Sequence, residues 1–418
     1  MQQTPKGSQL HIGLFGKRNA GKSTLMNVLL DQELSIVSPV AGTTTDIVHK
    51  SKEWHPLGPV VLVDTPGLDD EGELGALRVQ KAMEILRQVD LVLWVSKSER
   101  LEPEEIELLH QLREKKVPYL FVYNRFHEDE SSKESSKESN RESNKESSKE
   151  RSKSNSVEVE KIVKMEEPSL EVNAKTKGGI GKLKEAITKC LMGAEEKKCI
   201  GDKVGIGQIV LLVMPQDLQA PKGRLILPQV QILRELLDAK AIPIMTTRET
   251  LNETLLALQS PPSLVITDSQ IFKEVYDICP KNVPLTSFSI LMGRQKGDLK
   301  QYVEGAYKIG ELQRGDKVLV AESCTHNPLH GDIARNKIPT AITKKVGEGI
   351  IFEHVCGNSF PEDLSSYALT IQCGGCMHTP KQIQERLSQA KLQNIPITNF
   401  GIALAYLMGI LEKVWLPE

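Results

Sequence analysis

Short apolar runs alternate with amphipathic stretches through the first part of the chain, up to about residue 191. The apolar runs are four to six residues long, which is typical of buried strands, and the segments between them have helical spacing. Alternation of this kind predicts a parallel sheet covered by helices. The predicted strands are Leu10–Phe15, Val60–Val63, Leu91–Val95, Tyr119–Tyr123 and Leu170–Asn173, and the predicted helices are Gly75–Val89 and Pro103–Lys116.

Two shorter blocks with the same rhythm follow the charged stretch Glu195–Asp202. The fold class is therefore predicted to be α/β, with one larger parallel sheet followed by two smaller α/β domains. The predicted domains are residues 1–198, 203–298 and 299–418. The predicted strands are Gln208–Met214, Ile242–Met245, Ser263–Thr267, Lys317–Ala321, Gly349–Glu353 and Ala368–Ile371, and the predicted helices are Pro228–Ala239, Pro380–Leu392 and Ile402–Val414.

A low-complexity segment interrupts the first domain. Ser131–Glu150 consists of five tandem four-residue units, SSKE, SSKE, SNRE, SNKE and SSKE. The units have no apolar face, and their charges cancel, so they cannot bury enough surface to order the backbone. We expect a disordered insert spanning residues 128–157 and assign it no function.

Composition limits the classes of function. The chain has 418 residues, 39% of them hydrophobic and 26% charged, with a net charge of −2. It lacks the basic excess that favours a nucleic-acid partner. Its densest late apolar run, Ile402–Leu411, is much shorter than the roughly 20 residues of a membrane span. Seven cysteines, an odd number, do not indicate a disulfide framework, so we expect a cytoplasmic protein with neither a membrane nor a nucleic-acid partner.

The segment from Gly16 to Ser23 reads G-K-R-N-A-G-K-S and fits the phosphate-binding loop pattern G-x-x-x-x-G-K-S. A predicted strand precedes it and a helical run, Ser23–Leu30, follows, which is the context that the motif requires. Glycines let backbone N–H groups wrap phosphates, Lys22 reaches the outer phosphates, and the Ser23 hydroxyl binds Mg²⁺. The predicted nucleotide-binding residues are Gly16, Asn19, Ala20, Gly21, Lys22, Ser23 and Thr24.

A second motif, Asp64-Thr-Pro-Gly67, ends the predicted strand Val60–Val63. An acidic side chain at the carboxyl end of a strand suits a Mg²⁺ contact, so Asp64 joins the predicted magnesium and nucleotide ligands. Gly67 allows the backbone to approach a γ-phosphate. The threonine-rich loop Gly42–Asp46 lies between the two motifs and can close on the metal.

These motifs resemble the TrmE–Era branch of the translation-factor GTPases. The resemblance implies that Thr44 is the switch threonine on Mg²⁺ and that Asn19 is a potassium ligand. Leu68 stands where other GTPases carry a glutamine that orients the attacking water, so another group or a cation is expected to do that work. The residues implied for catalysis are Lys22, Thr44 and Gly67, and the candidates for orienting water are Asp69, Asp70 and Glu71.

The guanine-recognition motif departs from the family pattern. Asn124-Arg-Phe-His127 stands where N-K-x-D is expected, and the aspartate that accepts hydrogen bonds from guanine is absent. Asp129 lies two residues late. Asn173-Ala-Lys175 resembles the final S-A-K loop that contacts the base. GTP is the expected nucleotide, with a relaxed base preference as the alternative, and the predicted base contacts are Asn124, Arg125, Ala174 and Lys175.

Two cysteine pairs follow predicted strands in the third domain. Cys324-x-His326 follows Lys317–Ala321, and Cys373-Gly-Gly-Cys376 follows Ala368–Ile371. Loops at the carboxyl ends of parallel strands converge on ligands, so a soft metal site is predicted there. Spacing alone fits zinc and iron–sulfur equally, and a redox dithiol is a third reading. Thr379 is the predicted N-cap of the helix that follows.

The whole chain resembles the HydF family of hydrogenase-maturation GTPases, on the stretches Glu322-Ser-Cys-Thr-His326, Lys345-Val-Gly-Glu-Gly349 and Cys373-Gly-Gly-Cys-Met377. The resemblance implies a GTPase domain, a dimerisation domain and a domain that binds a [4Fe–4S] cluster. It implies Cys324, Cys373 and Cys376 as thiolate ligands and His326 as a candidate for the fourth position. Gln372 replaces the histidine that the family carries before C-x-x-C.

The same resemblance implies a homo-oligomeric scaffold or carrier that delivers a di-iron precursor to apo-[FeFe]-hydrogenase, working with the radical-SAM maturases of that pathway. Two alternatives remain open: an RNA- or ribosome-associated GTPase of the TrmE or Era type with a zinc-stabilised C-terminal domain, and a divergent paralogue.

Several further side chains have no role that the family resemblance implies. His330 and His378 are expected to be surface or loop residues. The remaining cysteines are expected to be structural or incidental thiols: Cys190, Cys199, Cys279 and Cys356.

Overall fold

The computed structural model describes residues 9–31, 47–67, 82, 84–86, 88–98, 103–114, 117–125, 169–192, 197–215, 225–323, 333–357 and 359–417. The chain divides into two compact units, Gln9–Glu195 and Glu196–Glu418. The division of the second unit into two domains stays a prediction. Within the described ranges, no helix combines the length and the apolar character that crossing a bilayer requires.

The first unit is built on a six-stranded sheet of order β2-β3-β1-β4-β5-β6, parallel except for β2, which runs antiparallel to β3. Its strands are β1 Leu10–Phe15, β2 Val48–Trp54, β3 Gly58–Asp64, β4 Leu91–Ser96, β5 Tyr119–Asn124 and β6 Ser169–Val172. Its described helices with complete bounds are α1 Lys22–Leu29, α2 Pro103–Glu114 and α3 Ile180–Met192.

The five strands predicted for this sheet are confirmed, because both of its faces are covered and continuous apolar runs mark such strands. Strand β2 was not predicted. It lies at the edge of the sheet and reads V-H-K-S-K-E-W, so its alternating charged residues mask the strand pattern. The predicted helix Gly75–Val89 and the insert 128–157 lie largely or wholly outside the described residues.

The second unit contains two four-stranded sheets, both wholly parallel, of orders β10-β9-β7-β8 and β12-β11-β13-β14. The strands are β7 Ile209–Val213, β8 Ile242–Thr246, β9 Leu264–Thr267, β10 Leu285–Ser287, β11 Lys317–Glu322, β12 Ile351–Cys356, β13 Leu369–Gln372 and β14 Ile397–Asn399. The helices are α4 Leu227–Asp238, α5 Leu251–Ala257, α6 Phe272–Ile278, α7 Phe288–Lys296, α8 Leu299–Tyr307, α9 Ile338–Val346, α10 Pro380–Leu392 and α11 Phe400–Leu407.

The two sheets of the second unit share one core. Leu211 and Val265 of the first sheet belong to the same buried cluster as Leu319 and Ile397 of the second. Helix α7 lies at this junction, since it packs against α4, α10 and α11. Helix α8 approaches β14 so closely that a Cβ on Gly305 would stand 2.1 Å from the Ile397 carbonyl oxygen, which only glycine tolerates.

Two predictions in the third domain were wrong in their bounds. The helix predicted over Ile402–Val414 is shorter, because α11 ends at Leu407 and Gly409 adopts a φ of 71°. The strand predicted over Gly349–Glu353 starts two residues later and reaches Cys356, because Gly349 has a φ of 98° that does not fit a strand. The three-residue strands β10 and β14 were too short to predict.

Candidate functional site

The loop between β1 and α1 depends on its glycines. Gly16 has a φ of 138°, and a Cβ there would stand 2.1 Å from the Val95 carbonyl oxygen. Gly21 has a φ of 90° immediately before α1, and Asn19 adopts a left-handed φ of 58°, which asparagine tolerates better than most residues. The loop therefore has the tight shape that brings backbone N–H groups toward phosphates at a helix N-terminus.

Lys22 begins α1 and is buried, with 7% of its surface exposed. Its Nζ donates to the carbonyl oxygens of Gly16 at 2.9 Å and Lys17 at 2.8 Å. These bonds fold the side chain back over the loop, so the ammonium is held at the place where the outer phosphates are predicted to bind.

The two described residues that were predicted to bind magnesium lie in contact. Ser23 Oγ donates to Asp64 Oδ2 at 2.5 Å, across the gap between α1 and the end of β3. Asp64 is buried, and burial raises the pKa of its carboxyl group while the Ser23 hydrogen bond and the Lys22 charge oppose the rise. Its Oδ1 is buried with no hydrogen-bond partner among the described residues, which fits a hard cation beside Ser23.

Gly67 brings the Asp64–Gly67 motif against the phosphate loop. A Cβ on Gly67 would lie 2.9 Å from the Arg18 backbone nitrogen. Thr65 anchors the same turn, because its Oγ1 donates to the Leu14 carbonyl oxygen at 2.7 Å. Thr44, Leu68, Asp69, Asp70 and Glu71 lie outside the described residues.

Asn124 ties the phosphate loop to the predicted base loop. Its side chain is fully buried at the end of β5. The Nδ2 donates to the Ala20 carbonyl oxygen at 3.1 Å, and the Oδ1 accepts from the Ala174 backbone nitrogen at 3.1 Å. The Asn124 side-chain amide therefore joins the phosphate loop at Ala20 to the predicted base loop at Ala174.

The rest of the base loop is shaped by Asn173, whose Oδ1 accepts from the backbone nitrogens of Lys175 and Thr176, both at 3.0 Å. Arg125 lies beside it and pairs with Glu171 at 3.3 Å, both being exposed. Phe126, His127 and Asp129 lie outside the described residues. The predicted base contacts therefore stay predictions.

In the second unit, Cys373 follows β13 directly and its sulfur receives two hydrogen-bond contacts from Ser323. The Ser323 backbone nitrogen lies 3.1 Å from Cys373 Sγ, and the Ser323 hydroxyl oxygen lies 2.8 Å from it. Burial raises the pKa of the Cys373 thiol, and the Ser323 hydrogen bonds oppose that rise because they favour the thiolate. Donors of this kind suit a metal-bound sulfur.

Lys296, the last residue of α7, holds the C-x-x-C loop in place. It is only 2% exposed, and its Nζ donates to the carbonyl oxygens of Gly375 at 3.0 Å, Cys376 at 3.4 Å and His378 at 2.8 Å. Burial lowers the pKa of the ammonium, while the thiols of Cys376, Cys199 and Cys373 favour its charged form. A buried cation beside these sulfurs fits an anionic group on the loop.

His378 and Arg386 form a second buried polar group behind the loop. His378, which was expected to be a surface or loop residue, lies in the loop but is only 3% exposed. Burial, with the charges of Arg386 and Lys296, lowers its pKa to about 3, so the imidazole is neutral. His378 Nε2 and Arg386 Nη1 are buried without hydrogen-bond partners among the described residues. The helix that follows begins as predicted, with Thr379 Oγ1 accepting from the Gln382 nitrogen.

Gln372 faces away from the sulfurs. It is 1% exposed, and its Nε2 donates to the hydroxyl oxygen of Tyr302, inside the core that the two sheets share. Cys373, the next residue, contacts the core on the other face of the sheet. The departure from the family pattern at position 372 therefore lies in core packing.

The described residues do not complete a metal site. Among them, no three side chains of histidine, cysteine, aspartate or glutamate are arranged to hold a metal ion. Cys373 and Cys376 are both half-buried and lie on the predicted loop, while Cys324, His326 and His330 lie outside the described residues. Convergence of the three predicted cysteines therefore stays a prediction, although the Ser323 contacts bring the end of β11, directly before Cys324, to Cys373.

Comparisons with protein families divide the chain in the same order as its motifs. Residues 11–125 match the family model "50S ribosome-binding GTPase". Residues 199–297 match "Hydrogen maturase F dimerization domain", and residues 300–417 match "Hydrogen maturase F tetramerization domain". These last two models together cover more than half of the chain. The chain belongs to the hydrogen maturase F family.

Curated relatives match this HydF-family chain through its GTPase domain. A probable tRNA modification GTPase MnmE of Cyanidioschyzon merolae is 38% identical over 123 residues, which is 29% of this chain and 26% of that protein. The MnmE proteins of Caldicellulosiruptor saccharolyticus and Beijerinckia indica are 31% and 43% identical, over 28% and 22% of this chain and 26% and 20% of their own lengths. The chain thus spans about a quarter or less of these relatives.

Solved structures with similarity include Era in complex with MgGDPNP and 16S ribosomal RNA nucleotides, at 20% identity and a TM-score of 0.33, covering 57% of this chain and 91% of that one. The G domain of the T. maritima FeoB iron transporter gives 19% identity and a TM-score of 0.27, over 44% and 99%. The GTPase assignment rests on the family match and on the sheet and loop described above.

Sequence reasoning missed three features of this site: Lys296, Arg386, and the contact of Cys356 with Glu322. Each is brought to the cysteine loop by a different helix or strand, and no spacing in the sequence signals those contacts. The signal that could have raised suspicion is a lysine and an arginine in otherwise apolar helical positions.

Replacing Asn124 by alanine is expected to weaken nucleotide binding about 5- to 150-fold, because the Ala20 carbonyl and the Ala174 N–H would lose a buried partner worth about 1–3 kcal/mol. A titration with a fluorescent GDP analogue measures this change. Asn27→Ala is the control, since Asn27 lies on α1 and its Oδ1 accepts from Lys50, away from both loops that Asn124 joins. Equal affinities of the Asn124→Ala variant and the parent would contradict the role.

Proposed function

We propose that this chain is a GTP-binding and GTP-hydrolysing scaffold that holds a [4Fe–4S] cluster and delivers a di-iron precursor to apo-[FeFe]-hydrogenase. In this proposal, Cys324, Cys373 and Cys376 are the thiolate ligands, and His326 is a candidate for the fourth position. The radical-SAM maturases of the same pathway are the expected partners. The three domains, residues 1–198, 203–298 and 299–418, carry nucleotide, dimer contacts and cluster respectively.

The observation that supports the cluster most directly is the surroundings of the C-x-x-C loop. The Cys373 sulfur has two Ser323 donors, and a buried ammonium lies against the loop backbone. Three thiolates and one imidazole around zinc would also leave a net charge of about −1, so the buried cation supports a thiolate-bound metal centre without choosing between zinc and iron. A thiolate-bound iron–sulfur cluster is anionic, and hydrogen bonds and charge near its sulfurs set its potential.

The chain's own residues have separable tasks in this proposal. Ser323 donates to the Cys373 sulfur and so favours the thiolate. Lys296 fixes the loop and places a positive charge beside it. With only three strong ligands, the fourth corner is free to exchange, which suits a carrier that accepts and releases iron species. When bound, the cluster supplies an iron corner to which such species can attach.

At the nucleotide site, Ser23 and Asp64 are proposed to hold Mg²⁺, Lys22 to bind the outer phosphates, and Gly67 to let the backbone reach the γ-phosphate. Thr44 completes the magnesium site. Asn19 is proposed as a potassium ligand, so hydrolysis is expected to be potassium-stimulated. Guanine preference is proposed to persist through Asn124, Arg125, Ala174 and Lys175 although the usual aspartate is missing.

An RNA- or ribosome-associated GTPase is less well supported. The relatives described as tRNA modification GTPases align over 29% of this chain or less, and residues 199–297 and 300–417 match hydrogen maturase F domains. The net charge of −2 also gives no basic excess for nucleic acid. We therefore propose only the GTP-hydrolysing cluster scaffold.

The dimerization and tetramerization models support a homo-oligomer. We propose that a second copy covers the surface formed by Val230 and Leu237 of α4 and Met245 of the edge strand β8, whose side chain leaves the sheet on the side of α4. These three large apolar side chains are 46–54% exposed. Val230 and Leu237 are seven residues apart on α4 and so share one helix face, and α4 packs beside β8. An exposed apolar edge of this kind marks an interaction surface.

The cluster proposal predicts that the anaerobically purified chain contains iron and sulfide and gives an electron paramagnetic resonance signal after reduction. Cys373→Ser should remove the signal and most of the iron, because one of three strong ligands is lost. Cys190→Ser, in the other unit, is the matched control and should leave both unchanged. A colourless parent protein that contains zinc instead of iron would end the cluster proposal.

A second variant separates loop support from ligation within the same experiment. Lys296→Met leaves the three thiols in place but removes the donor to three loop carbonyls, so iron affinity should fall about 10- to 100-fold. Any signal that remains should have a more negative midpoint potential, since a buried positive charge is lost. Lys300→Met, on the exposed side of α8, should change neither quantity.

The nucleotide proposal predicts that GTP displaces a bound fluorescent GDP analogue at lower concentration than ATP does, and that GTP turnover is faster in potassium chloride than in sodium chloride of equal ionic strength. Potassium would add a positive charge near the phosphates, whereas the apolar side chain of Leu68 can neither stabilise that charge nor orient the attacking water. Equal displacement by ATP would show that base preference has been lost, and equal turnover in both salts would remove the role of Asn19.

The oligomer proposal predicts that Met245→Glu yields a smaller species in light scattering after size-exclusion chromatography, because a charge would be buried in an apolar contact. Leu256→Glu is the control, since Leu256 is 85% exposed on α5 and lies outside the proposed surface. If both variants keep the mass of the parent, the contact lies elsewhere.

A further inference from the structure

At the carboxyl edge of the third sheet lies a second pair of potential metal ligands, Cys356 and Glu322, to which the family resemblance assigns no ligand role. Strands β12, β11 and β13 lie side by side, and Cys356 at the end of β12 is in register with Glu322 at the end of β11. Cys373 follows directly on β13. Cys356, Glu322 and Cys373 therefore form a row across three strands at one level of the sheet.

The row also shares one face of the sheet. Val318 and Val320 contact the same core as Leu369 and Ile371 of β13. Side chains two apart on a strand share a face, so Glu322 and Cys373 continue those two rows, and Cys356 joins them through its register with Glu322. Adjacent strands are about 4.8 Å apart, so Cys356 lies about 10 Å from the Cys373 backbone. The pair is a neighbour of the predicted cluster site.

The distance between the two groups is compatible with one metal ion in place of the thiol proton. Cys356 Sγ donates to Glu322 Oε2 at 3.5 Å. A tetrahedral ion with a sulfur ligand at about 2.3 Å and an oxygen ligand at about 2.1 Å would hold those atoms about 3.6 Å apart. An ion that replaced the proton would therefore change the separation of these two atoms little.

The surroundings favour a cation held weakly and reached from solvent. The Glu322 side chain is only 8% exposed, so it is a buried carboxylate, whereas Cys356 is half-buried and accessible. Arg335 Nη2 lies 3.8 Å from Cys356 Sγ and 3.8 Å from Glu322 Oε2. Arg335 sits on the π-helical turn Ile333–Lys337 with 41% of its side chain exposed, so an incoming ion would compete with this guanidinium for both ligands.

We propose that Cys356 and Glu322 form a weak, exchangeable site for a borderline divalent cation at the carboxyl edge of the third sheet, beside the C-x-x-C loop. A thiolate and a carboxylate together suit zinc or iron(II), and water completes the coordination. The site itself stands on the two side chains. The further assignment, that iron(II) binds there transiently beside the cluster, rests on the proposed function.

The test uses the full-length parent chain and zinc alone as the probe. The rate at which iodoacetamide alkylates each cysteine is measured by mass spectrometry of the peptides, with and without zinc, under anaerobic conditions. Zinc is expected to slow alkylation of Cys356 at least about tenfold, because the metal-bound sulfur is a poor nucleophile. Cys190, half-buried in the other unit, is the internal control and should react at an unchanged rate.

Two variants distinguish this site from a general effect of zinc. Glu322→Gln should require at least about tenfold more zinc for the same protection of Cys356, because the second ligand is lost. Arg335→Gln should require less zinc, because a competing cation is removed from the two ligands. The proposal is overturned if zinc leaves the alkylation rate of Cys356 unchanged or slows alkylation of Cys190 equally. It is also overturned if zinc protects Cys356 in the Glu322→Gln variant as well as it does in the parent. Loss of the cluster would leave all of these readouts intact.

Discussion

A buried ammonium group holds the cysteine loop to the rest of the second unit. Lys296 donates to three successive parts of the loop, the carbonyls of Gly375, Cys376 and His378, while almost none of its surface reaches water. Burying a charge costs free energy unless hydrogen bonds and opposite charge offset it. Helix α7, which carries Lys296 at its end, also packs between the two sheets. The shape of the loop therefore depends on contacts from the first sheet's side, and the block predicted as a dimerisation domain also supports the loop.

In both units, the candidate site lies at the carboxyl edge of parallel strands. In the first, β1, β3, β5 and β6 end at the phosphate loop, Asp64, Asn124 and Ala174; in the second, β11, β12 and β13 end at Ser323, Cys356 and Cys373. All strands of a parallel sheet direct their carboxyl ends to one edge, so residues far apart in sequence meet there. In each unit, buried amide or ammonium groups fix neighbouring loops together. Asn124 has this role at the nucleotide loops, as Lys296 has at the cysteine loop.

The sequence predicted the parts of this arrangement that depend on local pattern. Continuous apolar runs identified the central strands, and the glycines of the phosphate loop identified a loop whose φ values only glycine or asparagine readily adopts. The capping of α10 by Thr379 was predictable because the cap is local. What could not be predicted depends on distant contacts: the burial of Lys296 and His378, and the register that sets Cys356 beside Glu322. Strand β2 was missed because an edge strand tolerates the charges that usually indicate a loop.

Glutamine replaces the family's histidine at position 372, and this change affects the cysteine loop less than the motif alone suggests. Residues 372 and 373 are neighbours on one strand and its continuation, so their side chains leave opposite faces of the sheet. Gln372 reaches Tyr302 in the shared core, and a histidine on the same backbone would point to the same place. A fourth ligand from position 372 would then need the strand to twist away from its neighbour. The face that Cys373 shares is instead continued by Glu322 and Cys356, so among the described residues the side chains that extend this row come from the ends of β11 and β12.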